Sequence, residues 1–258
     1  MSAAPSPTAP RENGQIPATR EDLERRVLEA LWRSSVYRLL ATALVLPTTE
    51  SLQEVARIAD RLAHGFPTQA QLLAALTRAA RSASAEDVAS EYLRLCERAA
   101  PCPPREGSWG IQPISGRPAL LADLAGFYAA FEMRLSDTMG DTEDHIAAEL
   151  EFLSFLCLKE AYAFATQTDA VAVVADAVQS FWRDHLARFA IPFAKSLQDA
   201  TALDFYRVVA ALLQWWARLE CDRLQIAAEE TASLASGNAA EAECFTCPFD
   251  TQARPKVT

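Results

Sequence analysis

Three side chains near the middle of the chain have the types and spacing that acid/base or metal chemistry requires. Asp144 and His145 are adjacent, and Glu149 follows four residues after His145. Residues four apart share one face of a helix, so His145 and Glu149 could ligate a metal ion or exchange a proton. Two ligands do not complete a metal site, and a helical enzyme would need a third group such as His185.

Cysteines are the other candidate ligands, and the chain has six: Cys96, Cys102, Cys157, Cys221, Cys244 and Cys247. Cys244 and Cys247 have the Cys-x-x-Cys spacing that suits zinc, an iron-sulfur cluster or a redox pair, but one pair supplies half a site. Three others stand at apolar helix positions and are predicted to be small buried hydrophobes: Cys96, Cys157 and Cys221. We therefore predict no cofactor and no resident metal, with Cys244 and Cys247 as weak candidates.

The segment around Asp144 and His145 predicts the start of a long central helix. Asp141 is placed to cap this helix, with Asp144 three residues on as an acidic relative of the capping box. From Ile146 onward, apolar residues recur at helical spacing: Leu150, Leu153, Leu156 and Cys157. The candidate groups are thus expected at the N-terminal end of a buried helix.

The rest of the sequence predicts an all-α fold, a single-domain helical bundle of about nine to eleven helices. Segments rich in Ala, Leu, Glu and Arg are separated by Pro or Gly, and the alternation typical of strands is nearly absent. Predicted helices cover about 21–46, 51–64, 68–82, 84–98, 118–138, a central helix from 146, 170–189 and 202–230. Residues 100–118 contain five prolines and three glycines, which predicts a loop.

Charge and composition exclude some classes of function. The net charge of −10 disfavours nucleic acid, because phosphate binding needs a basic surface, whereas a peptide with arginines would be attracted. No stretch of about 18 apolar residues occurs, so we predict no membrane insertion. We divide the chain into a disordered leader at 1–20, an all-helical domain at 21–230 and a flexible acidic tail at 231–258. The leader lacks the apolar core of a secretory signal, which favours the cytoplasm.

Four motifs in one order carry a family resemblance. The first is Glu91-Tyr92-Leu93-Arg94-Leu95, and the second is the Pro-rich, Ser-aromatic loop from Pro103 to Trp109. The third is the Asp144-His145 pair that opens the central helix. The fourth runs from Phe181 through His185-Leu186 and Pro192-Phe193 to Phe205-Tyr206. Over about residues 30 to 220 the sequence resembles the TorD/DmsD/NarJ-type redox-enzyme maturation chaperones, which serve molybdoenzymes such as trimethylamine N-oxide and dimethyl sulfoxide reductases.

The resemblance implies a TorD-like chaperone and not an enzyme. Its expected partners are the apo form of a molybdopterin-dependent oxidoreductase of the dimethyl sulfoxide reductase type and the client's twin-arginine leader. Such a chaperone assists cofactor insertion and proofreads the client before export. Residues 141–145 read Asp-Thr-Glu-Asp-His where the family often has Glu-Pro-x-Asp-His, so the turn lacks a rigid proline. The protein would be a monomer or a domain-swapped dimer.

The resemblance also implies a peptide-binding region, because relatives bind the leader near the residues that correspond to Ser108, Trp109, Asp144 and His145. Trp109 is either a semi-exposed anchor for the peptide or a plug in the core under the loop. We add four residues by inference, acids for the leader's arginines and one groove-lining aromatic: Asp123, Tyr128, Asp141 and Glu143. Two other functions stay open, a metal-dependent helical enzyme and a permanent accessory subunit of a redox complex.

Overall fold

The computed structural model describes residues 19–65, 69–97, 100–110, 116–134, 142–231 and 234. Within these residues the fold is all-α, as predicted. The described residues form nine helices: α1 (Arg20–Ala43), α2 (Thr49–Gly65), α3 (Ala70–Ser82), α4 (Ala85–Cys96), α5 (Arg117–Ala130), α6 (Ile146–Thr166), α7 (Ala170–Asp184), α8 (Ala190–Ala200) and α9 (Asp204–Leu224). Most of the predicted leader and tail lies outside the described residues, and so do Asp141, Cys244 and Cys247.

The predicted helix boundaries are wrong in the last third of the chain. The helix predicted at 170–189 ends at Asp184, and a further helix, α8, follows a short 3₁₀ turn at Leu186–Arg188. Pro192 is the third residue of α8, where a missing N–H removes no helical hydrogen bond, so this proline starts a helix and does not prevent one. The helix predicted at 202–230 ends at Leu224, because Gln225 adopts a left-handed conformation with φ of 57°.

Helices α1 and α6 form the centre of the core. Ser34 of α1 and Ser154 of α6 are hydrogen-bonded through their hydroxyls at 3.0 Å, which requires close approach of the two backbones. Arg33 and Glu160 form a buried ion pair between the same two helices. The small serines permit the close contact, and the ion pair joins the same two helices at a second point.

A buried hydrogen-bond network ties α1 to α7 and α9. The hydroxyl of Tyr37 donates to Glu220 Oε2 at 2.6 Å and accepts from Trp182 Nε1 at 2.7 Å. All three side chains are fully buried, so each polar atom in the network depends on its partners within the protein.

The other helices pack around this centre. Helix α2 packs against α3 and α1, α8 lies along α9, and α7 lies along α6. Among the described residues, no helix combines the length and the apolar character that crossing a bilayer requires.

Candidate functional site

The loop at 100–110 and the segment at 142–146 lie side by side at the start of α6. Arg105 and His145 form an isolated antiparallel β-bridge. On either side of it, the N–H of Glu106 donates to the carbonyl of Asp144 at 2.8 Å, and the N–H of Ile146 donates to the carbonyl of Pro104 at 2.8 Å. The structure therefore brings together the two segments that carry Ser108, Trp109, Asp144 and His145.

His145 is the N-cap of α6. Its Nδ1 accepts a hydrogen bond from the backbone N–H of Ala147 at 3.1 Å, and its Nε2 lies 3.2 Å from the hydroxyl of Tyr92. An accepting Nδ1 carries no proton, so the neutral ring has its proton on Nε2. The predicted cap at Asp141 is wrong, because the N-cap is His145, whose imidazole is only 1% exposed and accepts from the free N–H of Ala147.

Asp144 is enclosed beneath the loop. Its Oδ2 accepts from the N–H of Gly107 at 3.3 Å and lies 3.8 Å from Nη2 of Arg117, while the hydroxyl of Thr142 donates to its Oδ1. A Cβ on Gly107 would lie 3.0 Å from that Oδ2, so any other residue at this position would push the enclosed carboxylate aside by a few tenths of an ångström. Asp144 has no exposed surface and therefore holds the loop in place from below.

Trp109 is also buried, with 6% of the residue exposed. Its Nε1 donates to the carbonyl of Pro103 at 2.9 Å, and its ring meets Phe193 edge to face at 6.2 Å. Of the two interpretations of Trp109, the structure has the plug that fills the core under the loop. Ser108 ends a 3₁₀ turn beside it and remains partly exposed.

Tyr128 and Glu143 connect α5 to the same region. Tyr128 is buried against Phe152 at a ring distance of 5.0 Å, and its hydroxyl donates to the backbone carbonyl of Glu143 at 2.9 Å. Tyr128 thus positions the residue before Asp144, and the Glu143 side chain stays partly exposed.

Sequence reasoning missed Glu106, although it lies in the loop that the motif singled out. Glu106 is 4% exposed, and its Oε2 lies 3.0 Å from Nδ1 of His185. On the other side of that ring, Nε2 lies 3.5 Å from Oδ2 of Asp123, whose side chain is 62% exposed. His185 therefore bridges a buried acid and a surface acid, and it is paired with Glu106, not joined to His145 and Glu149 in an enzyme-like triad.

Glu149 is the most unusual group in the region. It is fully buried on α6, and within the described part of the chain neither carboxyl oxygen has a hydrogen-bond partner. Burial raises the pKa of this carboxyl well above its ordinary value, and the charges of Glu106 and Asp144 raise it further. The sequence signal was a glutamate among apolar positions of a buried helix, which we interpreted as a possible ligand.

The described residues contain no group of three or more His, Cys, Asp or Glu side chains that could hold a metal ion. The predicted burial of Cys96, Cys157 and Cys221 is confirmed, and Cys102 is buried and unpaired as well. Burial raises the pKa of the Cys157 thiol to about 12, so it stays protonated and poorly nucleophilic.

Comparison with known proteins decides the family. The model of the nitrate reductase delta subunit family matches residues 59–195, which is more than half of the chain. The chain belongs to this family. It is 31% identical over 182 residues to the perchlorate reductase assembly chaperone protein of Dechloromonas aromatica, covering 65% of this chain and 77% of that protein.

Two further relatives match a shorter stretch of 87 residues. They are the chlorate reductase assembly chaperone protein of Ideonella dechloratans, 34% identical, and the selenate reductase assembly chaperone protein of Thauera selenatis, 36% identical. Each match covers 34% of this chain and 45% of the relative. A crystal structure from Archaeoglobus fulgidus, of a protein named for redox enzyme maturation, aligns over 81% of this chain at 16% identity with a TM-score of 0.47. The family model and the names of the three assembly chaperones confirm the resemblance to redox-enzyme maturation chaperones.

The Glu-Tyr-x-Arg-Leu motif of this family member has a clear structural role. Glu91 accepts from Oγ1 of Thr201 at 2.9 Å and from the N–H of Ala202 at 2.8 Å, which fixes the chain just before α9. Arg94 pairs with Glu91 and donates to the carbonyl of Ala200 at 2.8 Å. These contacts, the Arg94 hydrogen bond first, lower the pKa of Glu91 to about 2. The motif thus joins α4 to α9, while the neighbouring Tyr92 reaches His145.

Proposed function

We propose that this protein is a cytoplasmic chaperone for the assembly of a molybdopterin-dependent oxidoreductase of the dimethyl sulfoxide reductase type. It binds the apo enzyme and its twin-arginine leader, assists cofactor insertion and delays export until the client has folded. The observation that carries the proposal is membership in a family whose perchlorate, chlorate and selenate relatives are named assembly chaperones.

The distribution of acids supports a basic peptide as the ligand. Glu106 and Asp144 are buried near the start of α6. Two more acids stand above them toward solvent, Asp123 exposed and Glu143 partly exposed. The arginines of a leader would meet Asp123 and Glu143 first, in a region where the side chains of Arg117 and Arg188 remain half-exposed counterions.

Burial divides the candidate residues into two roles in this proposal. Asp144, His145, Trp109 and Tyr128 are enclosed, so they hold the shape of the surface and do not touch a peptide docked on it. The contact surface is the partly exposed rim with Ser108, Asp123 and Glu143. This division makes a testable distinction, because losing a rim acid should weaken binding while leaving the fold intact.

Calorimetric titration with the twin-arginine leader peptide of a candidate client tests the proposal. The double variant Asp123→Asn/Glu143→Gln should weaken binding by about tenfold, the sum of two exposed charge contacts at about 0.7 kcal/mol each. Asp176→Asn, an exposed acid on α7, is the control and should bind as the wild type does. A leader with both arginines replaced by glutamine should bind the wild-type protein about as weakly as the original leader binds the double variant. The same replacement should change the affinity of the double variant little.

The buried pair requires a different experiment. The double variant Asp144→Ala/His145→Ala should also fail to bind the leader. Its thermal unfolding midpoint should be lower than that of the wild type, because the loop at 100–110 loses the contacts that hold it. A variant that unfolds no earlier and still loses the leader would place the pair in direct contact with the peptide. Absence of leader binding by the wild-type protein would refute the proposed function.

A permanent accessory subunit is the second candidate, because the matching family model is described as a reductase subunit. The two functions differ in what happens after the client has matured. A chaperone leaves the mature enzyme, whereas a subunit co-purifies with it in fixed ratio. Isolation of the mature client under mild conditions, followed by quantification of this chain, distinguishes them.

A further inference from the structure

The outward face of α6 carries a row of five residues with a symmetric pattern. Ala148, Glu151, Phe155, Lys159 and Tyr162 follow one another at intervals of three, four, four and three residues. These intervals place all five on one face of the helix. Each of them is exposed or partly exposed, Tyr162 to 70%. Phe155 is the centre of the row, with one charged and one uncharged residue on each side of it.

The two charges of this row are not used within the chain. Among the described residues, neither Glu151 nor Lys159 forms an ion pair, and Nζ of Lys159 lies 5.1 Å from the centre of the Phe155 ring. Elsewhere on the surface, acids pair with a base one turn away, as Glu29 does with Arg25. The row therefore presents an unpaired acid and an unpaired base on opposite sides of Phe155.

Exposed leucines widen the row toward α1. Ser34 of α1 touches Ser154 of α6. Arg26, nearer the start of α1, lies over the ring of Phe164, nearer the end of α6, so the two helices run antiparallel. From the serine contact toward the start of α1 and the end of α6, both helices present exposed leucines at helical spacing: Leu28 at 66% and Leu31 at 40% on α1, and Leu158 at 48% on α6. The row is thus part of a two-helix apolar surface.

We propose that this surface binds a second copy of the chain, with α6 packed antiparallel against the partner's α6 and Phe155 near the two-fold axis. In such a pair, Glu151 lies opposite the partner subunit's Lys159, and Ala148 lies opposite the partner subunit's Tyr162. A two-fold interface must complement itself, because the same surface meets its own copy. The symmetric row meets this condition in charge and in side-chain size. Unlike a domain-swapped dimer, this pair exchanges no element between the copies.

Sedimentation equilibrium of the full chain from about 1 µM to about 100 µM tests the proposal. Exposed ion pairs each contribute little and the surface is small, so the wild type should be monomeric at the low end and largely dimeric at the high end. Lys159→Glu brings four acids together around the two-fold axis, so the dissociation constant of its dimer should rise at least about tenfold. Glu151→Lys should weaken the dimer equally, because it brings four bases together.

Exchange of the two charges distinguishes this arrangement from a general effect of charge. The double variant Glu151→Lys/Lys159→Glu restores both ion pairs across an antiparallel two-fold axis, so it should dimerise about as tightly as the wild type. The two single variants should also associate with one another when mixed, because one carries only acids at these positions and the other only bases.

Leu158→Glu tests the apolar part of the surface and should abolish the dimer, because it places a charge among the exposed leucines. Leu93→Glu is the matched control, since Leu93 is 51% exposed on α4, away from this surface, and the same change there should leave the dimer intact. Thermal unfolding at about 1 µM, where all these proteins are monomeric, should give similar midpoints.

The possible results decide the proposal. Weaker dimers in the single charge variants, with recovery in the double variant, support it. A wild type that stays monomeric at about 100 µM overturns it. A dimer that neither Lys159→Glu nor Leu158→Glu weakens overturns it too, since another surface or an exchanged element would then join the copies. Single variants that weaken the dimer without recovery in the double variant overturn the antiparallel arrangement, and so does equal weakening by Leu93→Glu.

Discussion

Replacing Glu149 by glutamine is expected to make the stability of the protein less dependent on pH. The carboxyl is fully buried, and neither oxygen has a hydrogen-bond partner within the described residues. Burial first, and then the charges of Glu106 and Asp144, raise its pKa well above the ordinary 4.5. The folded protein therefore keeps a proton that the unfolded chain releases once the pH exceeds 4.5.

The size and sign of the effect follow from proton linkage. Between 4.5 and the raised pKa, the folded state binds about one proton more than the unfolded state, so the free energy of unfolding falls by about 1.4 kcal/mol per pH unit. The contribution of Glu149 to stability is complete below pH 4.5 and is lost as the pH rises toward the raised pKa. Glutamine has no proton to release. The free energy of unfolding of Glu149→Gln should therefore rise relative to that of the wild type by the same amount for each unit of increasing pH.

Urea unfolding of both proteins from about pH 5 to about pH 8 measures the difference. Glu151→Gln is the control, because Glu151 lies on the same helix with its side chain exposed. A difference between Glu149→Gln and wild type that stays constant over this range would refute the reasoning. An equal gain in Glu151→Gln would refute it too, since the effect would then come from net charge.

Three further perturbations test other parts of the structure. Gly107→Ala should destabilise by about 1–3 kcal/mol in thermal unfolding, because its Cβ would lie 3.0 Å from the enclosed carboxylate of Asp144. Tyr37→Phe should cost about 1–3 kcal/mol in urea unfolding, because the buried Glu220 loses a hydroxyl donor. Glu91→Gln should lower the free energy of unfolding by about 2–3 kcal/mol above pH 4.5, a figure reduced to allow for the half-exposed side chain of Arg94. Near pH 2 the same variant should lose little, because a carboxylate with a lowered pKa stabilises the fold only while it is ionised. An acid titration of both proteins measures the difference.

Each of these has a matched control elsewhere in the chain. A Cβ at Gly126 on α5 would meet nothing within 4 Å, so Gly126→Ala should stabilise slightly where Gly107→Ala destabilises. Tyr162 is 70% exposed, and Glu86 is exposed on α4, so Tyr162→Phe and Glu86→Gln should change stability little. Equal losses in a variant and its control would contradict the corresponding contact.

The central helix was predictable because its apolar residues repeat at helical spacing, and the structure begins it at Ile146. The N-cap of this helix was not predictable, since Asp141 and His145 both carry acceptors that suit an N-cap. The bridge between Arg105 and His145 places His145 at the helix start, and that contact joins residues 40 positions apart. Local sequence contains no information about such a pairing.

The missed members of the site have the same cause. Glu106 meets His185 across 79 residues of sequence, and burial of Glu149 depends on which helices cover α6. In the loop motif, Ser108 and Trp109 are more distinctive residue types than Glu106. Periodicity indicates which face of a helix is buried but not which distant charge it faces.

The contact between α1 and α6 has a consequence for how the protein is made. Ser34 and Ser154 are 120 residues apart, so at a synthesis rate of about 5–20 residues per second a ribosome needs roughly 6 to 24 seconds to add the partner of α1. During that interval α1 exists without α6, the helix against which it packs most extensively in the finished core. The protein that we propose to bind incompletely folded clients thus passes through an incompletely folded state of its own, with apolar surface exposed, at every round of translation.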